Sequence, residues 1–196
     1  MGKENEVRKL ILQMAITLDG VVAPEDGKDV FDHGDEGVWA DTFRMLETVD
    51  TVLLGAGMHQ EYLTYWQAVL TNPAAGKSEK RYATMAARTP HFVLSRTPRK
   101  VEWPGVTVLS AGVDGIADLK KQTGRDIILW GGPTAAAAAI EAGVVDEYHL
   151  VTHPVIAGSG KKLFSTVGDM HRLRHQDTQT FPSGIVILKY ARRLSS

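Results

Sequence analysis

The chain contains no cysteine among its 196 residues, which excludes disulfide bonds, thiolate catalysis and cysteine-ligated metals. It also lacks an apolar run of membrane-spanning length, and its first residues (MGKENEVRK) lack the apolar core of a signal peptide. A net charge of -1 gives no cationic excess for general nucleic-acid binding. We therefore expect a single cytoplasmic domain over residues 1–196 that binds a small molecule and neither nucleic acid nor membrane.

The common nucleotide-binding and hydrolase motifs are also missing. The glycine pairs that could open a GxGxxG motif are followed by Gln60 and Leu163 where the third glycine is required. No GxSxG sequence is present for a hydrolase nucleophile. His149 and His153 lie four residues apart in a predicted strand, about 13 Å from each other on one face, which is too far to bind one metal ion. The sequence therefore predicts no metal site.

Short apolar runs alternate with segments of helical spacing along most of the chain. The runs lack polar alternation, which is typical of strands covered on both faces. Strand–helix alternation favours an α/β domain with a mainly parallel sheet, and two runs around a Pro-Ser-Gly turn favour a closing antiparallel hairpin. The predicted strands are 10–16, 51–54, 91–94, 106–109, 127–130, one ending near 153, 173–180 and 185–190. The predicted helices are 36–48, 59–66, 78–88 (or a mobile loop), 113–122 and one from 133 to about 142, and residues 21–37 are predicted to form a loop.

Residues 126–164 carry the clearest functional signal. An apolar run ends at Trp130, Gly131 and Gly132 follow, and Pro133 stands at the first position of an alanine-rich helix. This arrangement presents unpaired N–H groups and the positive end of a helix to an anion. Residues 55–58 and 95–97 also follow predicted strands, at the edge where open α/β sheets bind ligands. The three loops together predict a phosphate-bearing ligand, with simple tight turns as the alternative for each loop.

These segments resemble the dihydrofolate-reductase-like superfamily, and within it the reductase of riboflavin biosynthesis, the C-terminal domain of a bifunctional deaminase-reductase. The matching segments are MAITLDG, DTVLLGAGM, HFVLSRT and IILWGGPTAAAAAIEAGVVDEYHLVTHPVIAGSGKKLF. The resemblance implies a dihydrofolate-reductase-like three-layer fold, with a mixed, mostly parallel eight-stranded sheet between helices and a C-terminal antiparallel hairpin. It also implies a homodimer and NADPH as cofactor. The cofactor-binding residues that it implies are Ala15, Ile16, Gly55, Ala56, Gly57, Met58, Ser95, Arg96, Thr97, Gly131, Gly132, Pro133, Thr134 and Ala135.

The chain departs from the family pattern in two places. Ala56 stands where the family carries an arginine, which leaves the choice between NADPH and NADH open. Trp39 stands where dihydrofolate reductases carry an acid, and Phe43 falls at the aromatic wall of their site, so both residues are assigned to substrate binding. Asp41, the nearest acid, and Asp19 are candidate proton donors, with water as a third source.

The resemblance implies an NADPH-dependent reductase. Its expected substrate is a small heterocycle or a ribosylaminopyrimidine such as 5-amino-6-(5-phosphoribosylamino)uracil. Dihydrofolate reduction and a catalytically silent NADP-binding protein are the alternatives, followed by a purely structural oligomer.

Overall fold

The computed structural model describes residues 7–25, 30–31, 34–97, 101 and 105–193. In chain order the elements are β1 (Leu10–Thr17), β2 (Val21–Pro24), α1 (Glu36–Leu46), β3 (Val49–Gly55), α2 (His59–Thr71), α3 (Lys77–Ala86), β4 (His91–Leu94), β5 (Val106–Leu109), α4 (Asp114–Lys121), β6 (Asp126–Leu129), α5 (Pro133–Glu141), β7 (Glu147–His153), β8 (Gly160–Lys162), β9 (Leu173–Thr180) and β10 (Val186–Arg192).

Eight of the strands form one sheet, in the order β5-β4-β3-β6-β1-β7-β10-β9. The six strands from β5 to β7 are parallel, whereas β10 is antiparallel to both β7 and β9. The predicted mixed, mostly parallel sheet with its closing hairpin is therefore confirmed.

Alternate residues of the central strands supply two separate cores, one on each face of the sheet. Leu12 and Leu129 pack in the core that contains Ile116 of α4 and the inward alanines of α5. Ile11 and Ile128, one residue earlier on the same two strands, pack in the core that contains α1, α2 and α3. Because both faces are covered, these strands read as continuous apolar runs in the sequence. The predicted three-layer arrangement is confirmed.

The structure differs from the sequence prediction in residues 21–24 and at the end of α2, and it decides between the two alternatives for residues 77–86. Residues 21–24, predicted as part of a loop, form β2, which pairs with β8 in a separate two-stranded sheet. These strands have four and three residues, and β8 is fully exposed, so neither carries a periodic apolar pattern. Helix α2 continues five residues beyond the predicted end at Trp66, and residues 77–86 form a helix and not a mobile loop. No helix of the described residues combines the length and the apolarity that crossing a membrane requires.

Candidate functional site

The loops after β3 and β6 meet at the carboxyl edge of the sheet, because these two strands are neighbours. A Cβ atom placed on Gly55 would lie 3.1 Å from the Cβ of Ala135 and 3.2 Å from the amide nitrogen of Gly132. A Cβ atom on Gly131 would in turn lie 3.2 Å from the amide nitrogen of Gly55. Glycine is needed at both positions because the two backbones approach this closely.

Two helices begin at these loops without a side-chain cap. The N-cap of α2 is Met58 and that of α5 is Gly132, and neither residue provides a side-chain hydrogen bond to the first turn. A Cβ atom on Gly57 or Gly132 would have nothing within 4 Å, so open space lies outside both turns. Two helix N-termini with unpaired N–H groups therefore open at one edge, a geometry suited to an anion with two phosphates.

The third loop follows β4, the strand next to β3. The hydroxyl of Ser95 donates a hydrogen bond to the carbonyl oxygen of Thr97 (2.9 Å). The guanidinium of Arg96 lies 3.7 Å from the carboxylate of Asp114, and both side chains are 75% exposed. An exposed ion pair of this kind contributes little stability, so Arg96 can turn to a phosphate at low cost.

A cavity of about 300 Å³ lies beside this edge, on the face of the sheet that carries α1. It includes two of the sequence-predicted residues, Ala15 and Trp39, whereas Ile16 is buried outside it. The residues that line it are Gln13, Met14, Ala15, Val22, Phe31, Val38, Trp39, Thr42, Trp66, Tyr82, Trp130, Val151 and His153. Its volume is at the lower end of those that bind small planar ligands.

Aromatic side chains form the wall of the cavity. The ring centroids of Trp66 and Tyr82 are 4.3 Å apart, and those of Tyr82 and Trp130 are 5.8 Å apart. Trp39 stacks on Phe43 with centroids 5.7 Å apart. Phe43 is buried, stacks on Trp39 and is not among the lining residues. In this arrangement it supports Trp39, and its contact with the substrate stays a prediction.

Asp41 does not reach the cavity. Its carboxylate accepts hydrogen bonds from Lys189 Nζ (2.7 Å) and Gln179 Nε2 (2.8 Å), and its side chain is only 3% exposed. Two residues along a helix turn about 200°, so Asp41 faces away from the side of α1 that carries Trp39. In this arrangement the carboxylate is buried in an ion pair on the β9–β10 side of α1, which argues against Asp41 as the proton donor.

Asp19 joins two loops. Its carboxylate accepts hydrogen bonds from the hydroxyl of Thr17 (2.6 Å) and from the amides of Ala157 (3.0 Å) and Gly158 (2.9 Å). These hydrogen bonds, that from Thr17 foremost, lower the pKa of Asp19 from 3.8 to about 2. The carboxyl is ionised at neutral pH and has no proton to donate, which argues against Asp19 as the acid.

Comparison with known proteins identifies the family of this chain. The model of the RibD C-terminal domain matches residues 8–187. The chain belongs to the RibD C-terminal domain family. Its relative in Bacillus subtilis (strain 168), the uncharacterized protein YyaP, is 30% identical over 183 residues, which cover 93% of this chain and 94% of YyaP.

Solved structures show the same fold at lower sequence identity. A protein from Shewanella sp. PV-4 named for riboflavin biosynthesis has a TM-score of 0.71 at 20% identity, covering 95% of this chain and 99% of that protein. The deaminase/5-amino-6-(5-phosphoribosylamino)uracil reductase of Thermotoga maritima has a TM-score of 0.65 at 17% identity, covering 95% of this chain and 57% of that one. Dihydrofolate reductase from Enterococcus faecalis, complexed with NADP(H), has a TM-score of 0.61 at 16% identity, covering 94% and 96%.

Three buried polar residues that line this cavity were not assigned to it from the sequence: Gln13, Thr42 and His153. His153 is 3% exposed, lines the cavity and lies edge-on to Phe31 with centroids 4.9 Å apart. Gln13 is 2% exposed and lines the cavity from β1. The alternation of side chains along a strand could have indicated Gln13 and His153. Gln13 is two residues before Ala15 and therefore on the same face of its strand, and His153 is two residues after Val151 and on the same face as that residue. Among the described residues, no group of three or more His, Asp or Glu side chains is placed to bind a metal ion.

Proposed function

We propose that the protein is an NADPH-dependent reductase that transfers a hydride to a small heterocyclic or ribosylaminopyrimidine substrate, as 5-amino-6-(5-phosphoribosylamino)uracil reductases do. The observation that carries the proposal is the direct connection between the aromatic cavity and the uncapped helix ends. Trp130 lines the cavity, and the next two residues, Gly131 and Gly132, form the turn that opens α5. A ligand with its phosphates on that turn would lie next to the cavity, because Trp130 directly precedes the turn. The family membership and the named activity of the Thermotoga relative support the reaction class.

The residues at the edge fit a dinucleotide. The amides at the starts of α2 and α5 would bind the pyrophosphate, since both turns are open and lack side-chain caps. Arg96 would bind the 2′-phosphate, taking over the charge that the family places at Ala56. Backbone groups of Ala15 and Ile16 would bind the nicotinamide carboxamide. When bound, NADPH supplies the hydride. The assigned residues are Ala15, Ile16, Gly55 to Met58, Ser95 to Thr97 and Gly131 to Ala135.

The cavity would orient the substrate and provide the side chain that donates a proton to it. Its aromatic walls at Trp39, Trp66 and Tyr82 exclude water and hold a planar ring flat beside β1. When a hydride adds to the carbon of a C=N bond, the nitrogen takes up a proton. Of the described lining residues, His153 carries the side-chain type that exchanges a proton near neutral pH. We assign the proton donation to His153, which is then reprotonated by solvent.

The reductase proposal is tested by two measurements on the purified protein. NADPH and NADH are titrated by fluorescence, and oxidation is then followed as loss of reduced-nicotinamide absorbance with the ribosylaminouracil and with dihydrofolate. We expect binding of NADPH and oxidation with the ribosylaminouracil. Absence of NADPH binding would refute the proposal.

A catalytically silent NADP-binding protein is the second candidate. It is favoured by one observation, the engagement of both Asp41 and Asp19 in contacts outside the cavity. Binding of NADPH with no oxidation by either the ribosylaminouracil or dihydrofolate would support it. Dihydrofolate reduction ranks lower, because Trp39 occupies the position of the acid in that enzyme.

The proposal includes a cytoplasmic homodimer. Strand β9 is the last strand of the sheet order, and seven of its eight residues are exposed. An exposed edge strand can pair with the same strand of a second copy. Static light scattering over a concentration series tests this, and a monomer mass at all concentrations would contradict it.

A further inference from the structure

A second cavity, of about 220 Å³, lies at the end of the sheet opposite the candidate site. Two of its lining residues mark the starts of β3 and β6: Val49 is the first residue of β3, and Arg125 directly precedes β6. The other ends of these two strands carry the glycine turns of the candidate site. Strand β3 has seven residues, so about 20 Å separates its two ends. The second cavity is therefore separate from the candidate site.

The floor of the second cavity is apolar. Leu46 at the end of α1 and Val49 and Val52 of β3 line it, and each is at most 6% exposed. Met85 in the last turn of α3 adds a flexible thioether side chain. Cavities that bind drug-sized ligands start at about 300 Å³. The second cavity therefore suits a smaller molecule, of the size of one ring with a short chain.

Cations outnumber carboxylates among the described residues that line the second cavity. The charged lining residues are Arg88, Arg125 and Asp50. The carboxylate of Asp50 forms an ion pair with Arg8, whose side chain is only 5% exposed, and it accepts a hydrogen bond from the amide of Arg125 (2.7 Å). The charge of Asp50 is thus balanced by a buried arginine behind it. The two lining arginines add positive charge beside an apolar floor.

One of these arginines is held in place and the other is free. The guanidinium of Arg125 donates a hydrogen bond to the carbonyl oxygen of Val49 (3.0 Å). The side chain of Arg88, in the exposed turn after α3, makes no hydrogen bond or ion pair with the described part of the chain. The nearby carbonyl oxygen of Met85 accepts the amides of Arg88 (3.0 Å) and Thr89 (3.1 Å), so it does not need this guanidinium. Arg88 is therefore available to an anion.

We propose that the second cavity binds a small organic carboxylate, with its apolar part on Leu46, Val49 and Val52 and its carboxylate on Arg88 and Arg125. The two oxygens of a carboxylate match the two N–H groups of a guanidinium fork. Because the carboxylate of Asp50 also lines the cavity, a single negative charge is favoured over the double charge of a phosphate ester. The site goes beyond the proposed reductase activity and does not depend on it.

The test compares two probes of the same shape, 3-phenylpropionate and its neutral amide, 3-phenylpropanamide. Each is titrated into the full-length protein by calorimetry at low ionic strength. The wild-type protein is expected to bind the carboxylate at least about tenfold more tightly than the amide, and added salt should weaken only the carboxylate. Arg88→Met and Arg125→Met are expected to weaken carboxylate binding by about tenfold each and to leave amide binding unchanged.

Arg96→Met is the matched control. It removes an exposed arginine at the carboxyl edge of the sheet, outside the second cavity, so it should leave the affinities for both probes unchanged. Arg125→Met also loses the hydrogen bond to Val49. If that variant does not fold, as judged by circular dichroism, Arg88→Met and the charge reversal Arg88→Glu decide the matter, because the Arg88 side chain holds no contact of the fold.

The inference is overturned if the wild-type protein binds neither probe or binds both equally, or if the Arg88 and Arg125 variants keep the preference for the carboxylate. It is also overturned if Arg96→Met abolishes that preference, or if saturating NADPH displaces the carboxylate, since the carboxylate would then bind at the other edge of the sheet. The NADPH titration decides the reductase proposal separately. Carboxylate binding without NADPH binding would support the second cavity and refute the reductase.

Discussion

Alanine substitutions at two adjacent glycines should separate the structural role of the α5 turn from its role in cofactor binding. A Cβ atom on Gly131 would lie 2.8 Å from Leu129 Cδ1, 3.1 Å from Ala135 Cβ and 3.2 Å from the amide nitrogen of Gly55. A Cβ atom on Gly132 would have nothing within 4 Å. The two substitutions add the same methyl group one residue apart, the first into packed backbone and the second into open space.

The contacts set the expected magnitudes. In Gly131→Ala the leucine methyl can rotate away, but the Ala135 Cβ and the Gly55 backbone belong to packed elements and must shift. Overpacking of this kind costs about 2 kcal/mol, or roughly 4–8 °C in melting temperature for a chain of this size. Gly132 has φ −62° and ψ 170°, which alanine adopts freely. Alanine is a weaker N-cap than glycine, which destabilises the variant, but it also lowers the entropy of the unfolded chain, which stabilises it. The unfolding free energy should therefore change by less than about 0.5 kcal/mol.

We expect Gly132→Ala to weaken NADPH binding although it leaves stability almost unchanged, whereas Gly131→Ala lowers stability. The methyl group of Gly132→Ala enters the space in which a pyrophosphate would approach the α5 amides, so we expect NADPH affinity to fall at least about tenfold. Urea unfolding and NADPH titration of both variants give the required values. The reasoning is refuted if Gly131→Ala is as stable as the wild-type protein, or if Gly132→Ala is stable and binds NADPH normally.

Three further predictions concern charged and titratable groups. Lys189→Met removes the buried cation of Asp41 and leaves it only the exposed Arg44, 3.5 Å away, so it should cost about 3 kcal/mol in urea unfolding. The double variant Asp41→Leu/Lys189→Met should recover most of this loss, and equal destabilisation in both would contradict the ion-pair account. His153→Gln should lower turnover at least about 100-fold and flatten its pH profile while NADPH affinity stays unchanged, and an unaltered pH profile would exclude His153 as the acid. The pKa of Asp19 is lowered from 3.8 to about 2, so its stabilising contribution is complete above pH 3.8 and is lost as the pH falls toward 2. The stability of Asp19→Asn should therefore fall less steeply with pH in this window than that of the wild-type protein. An equally steep acid transition in that variant would contradict this account.

The fold was predictable from the sequence wherever burial leaves a pattern. The central strands are apolar on both faces, and residues 91–94 and 106–109 were predicted with the bounds that the structure gives. The pairing of β2 with β8 was not predictable, because it joins segments that are far apart in the chain, as do the hydrogen bonds of Asp19 to the amides of Ala157 and Gly158, 138 and 139 residues away. A long-range contact of this kind leaves no periodic pattern in the sequence of either segment.

The loops of the site were also predictable in part. Glycines after the ends of β3 and β6 indicated where a phosphate would bind, and the structure brings these two loops within van der Waals contact. The cavity beside them was harder to predict. Tyr82 and Trp66 belong to α3 and α2, and their meeting with Trp130 depends on how three separate elements pack, which no single segment encodes.

The position of Asp41 away from the cavity has a physical cause. The register of the sheet places Gln13, His149 and Lys189 in one row across β1, β7 and β10, on the face that carries α1. The lysine at the end of that row lies 2.7 Å from Asp41 and neutralises it on the side of α1 away from the cavity. The helix thus presents Trp39 to the cavity and its acid to β10. In the proposed reaction the proton for the substrate comes from another element, and the proposed donor is His153, which lines the cavity at the carboxyl end of β7.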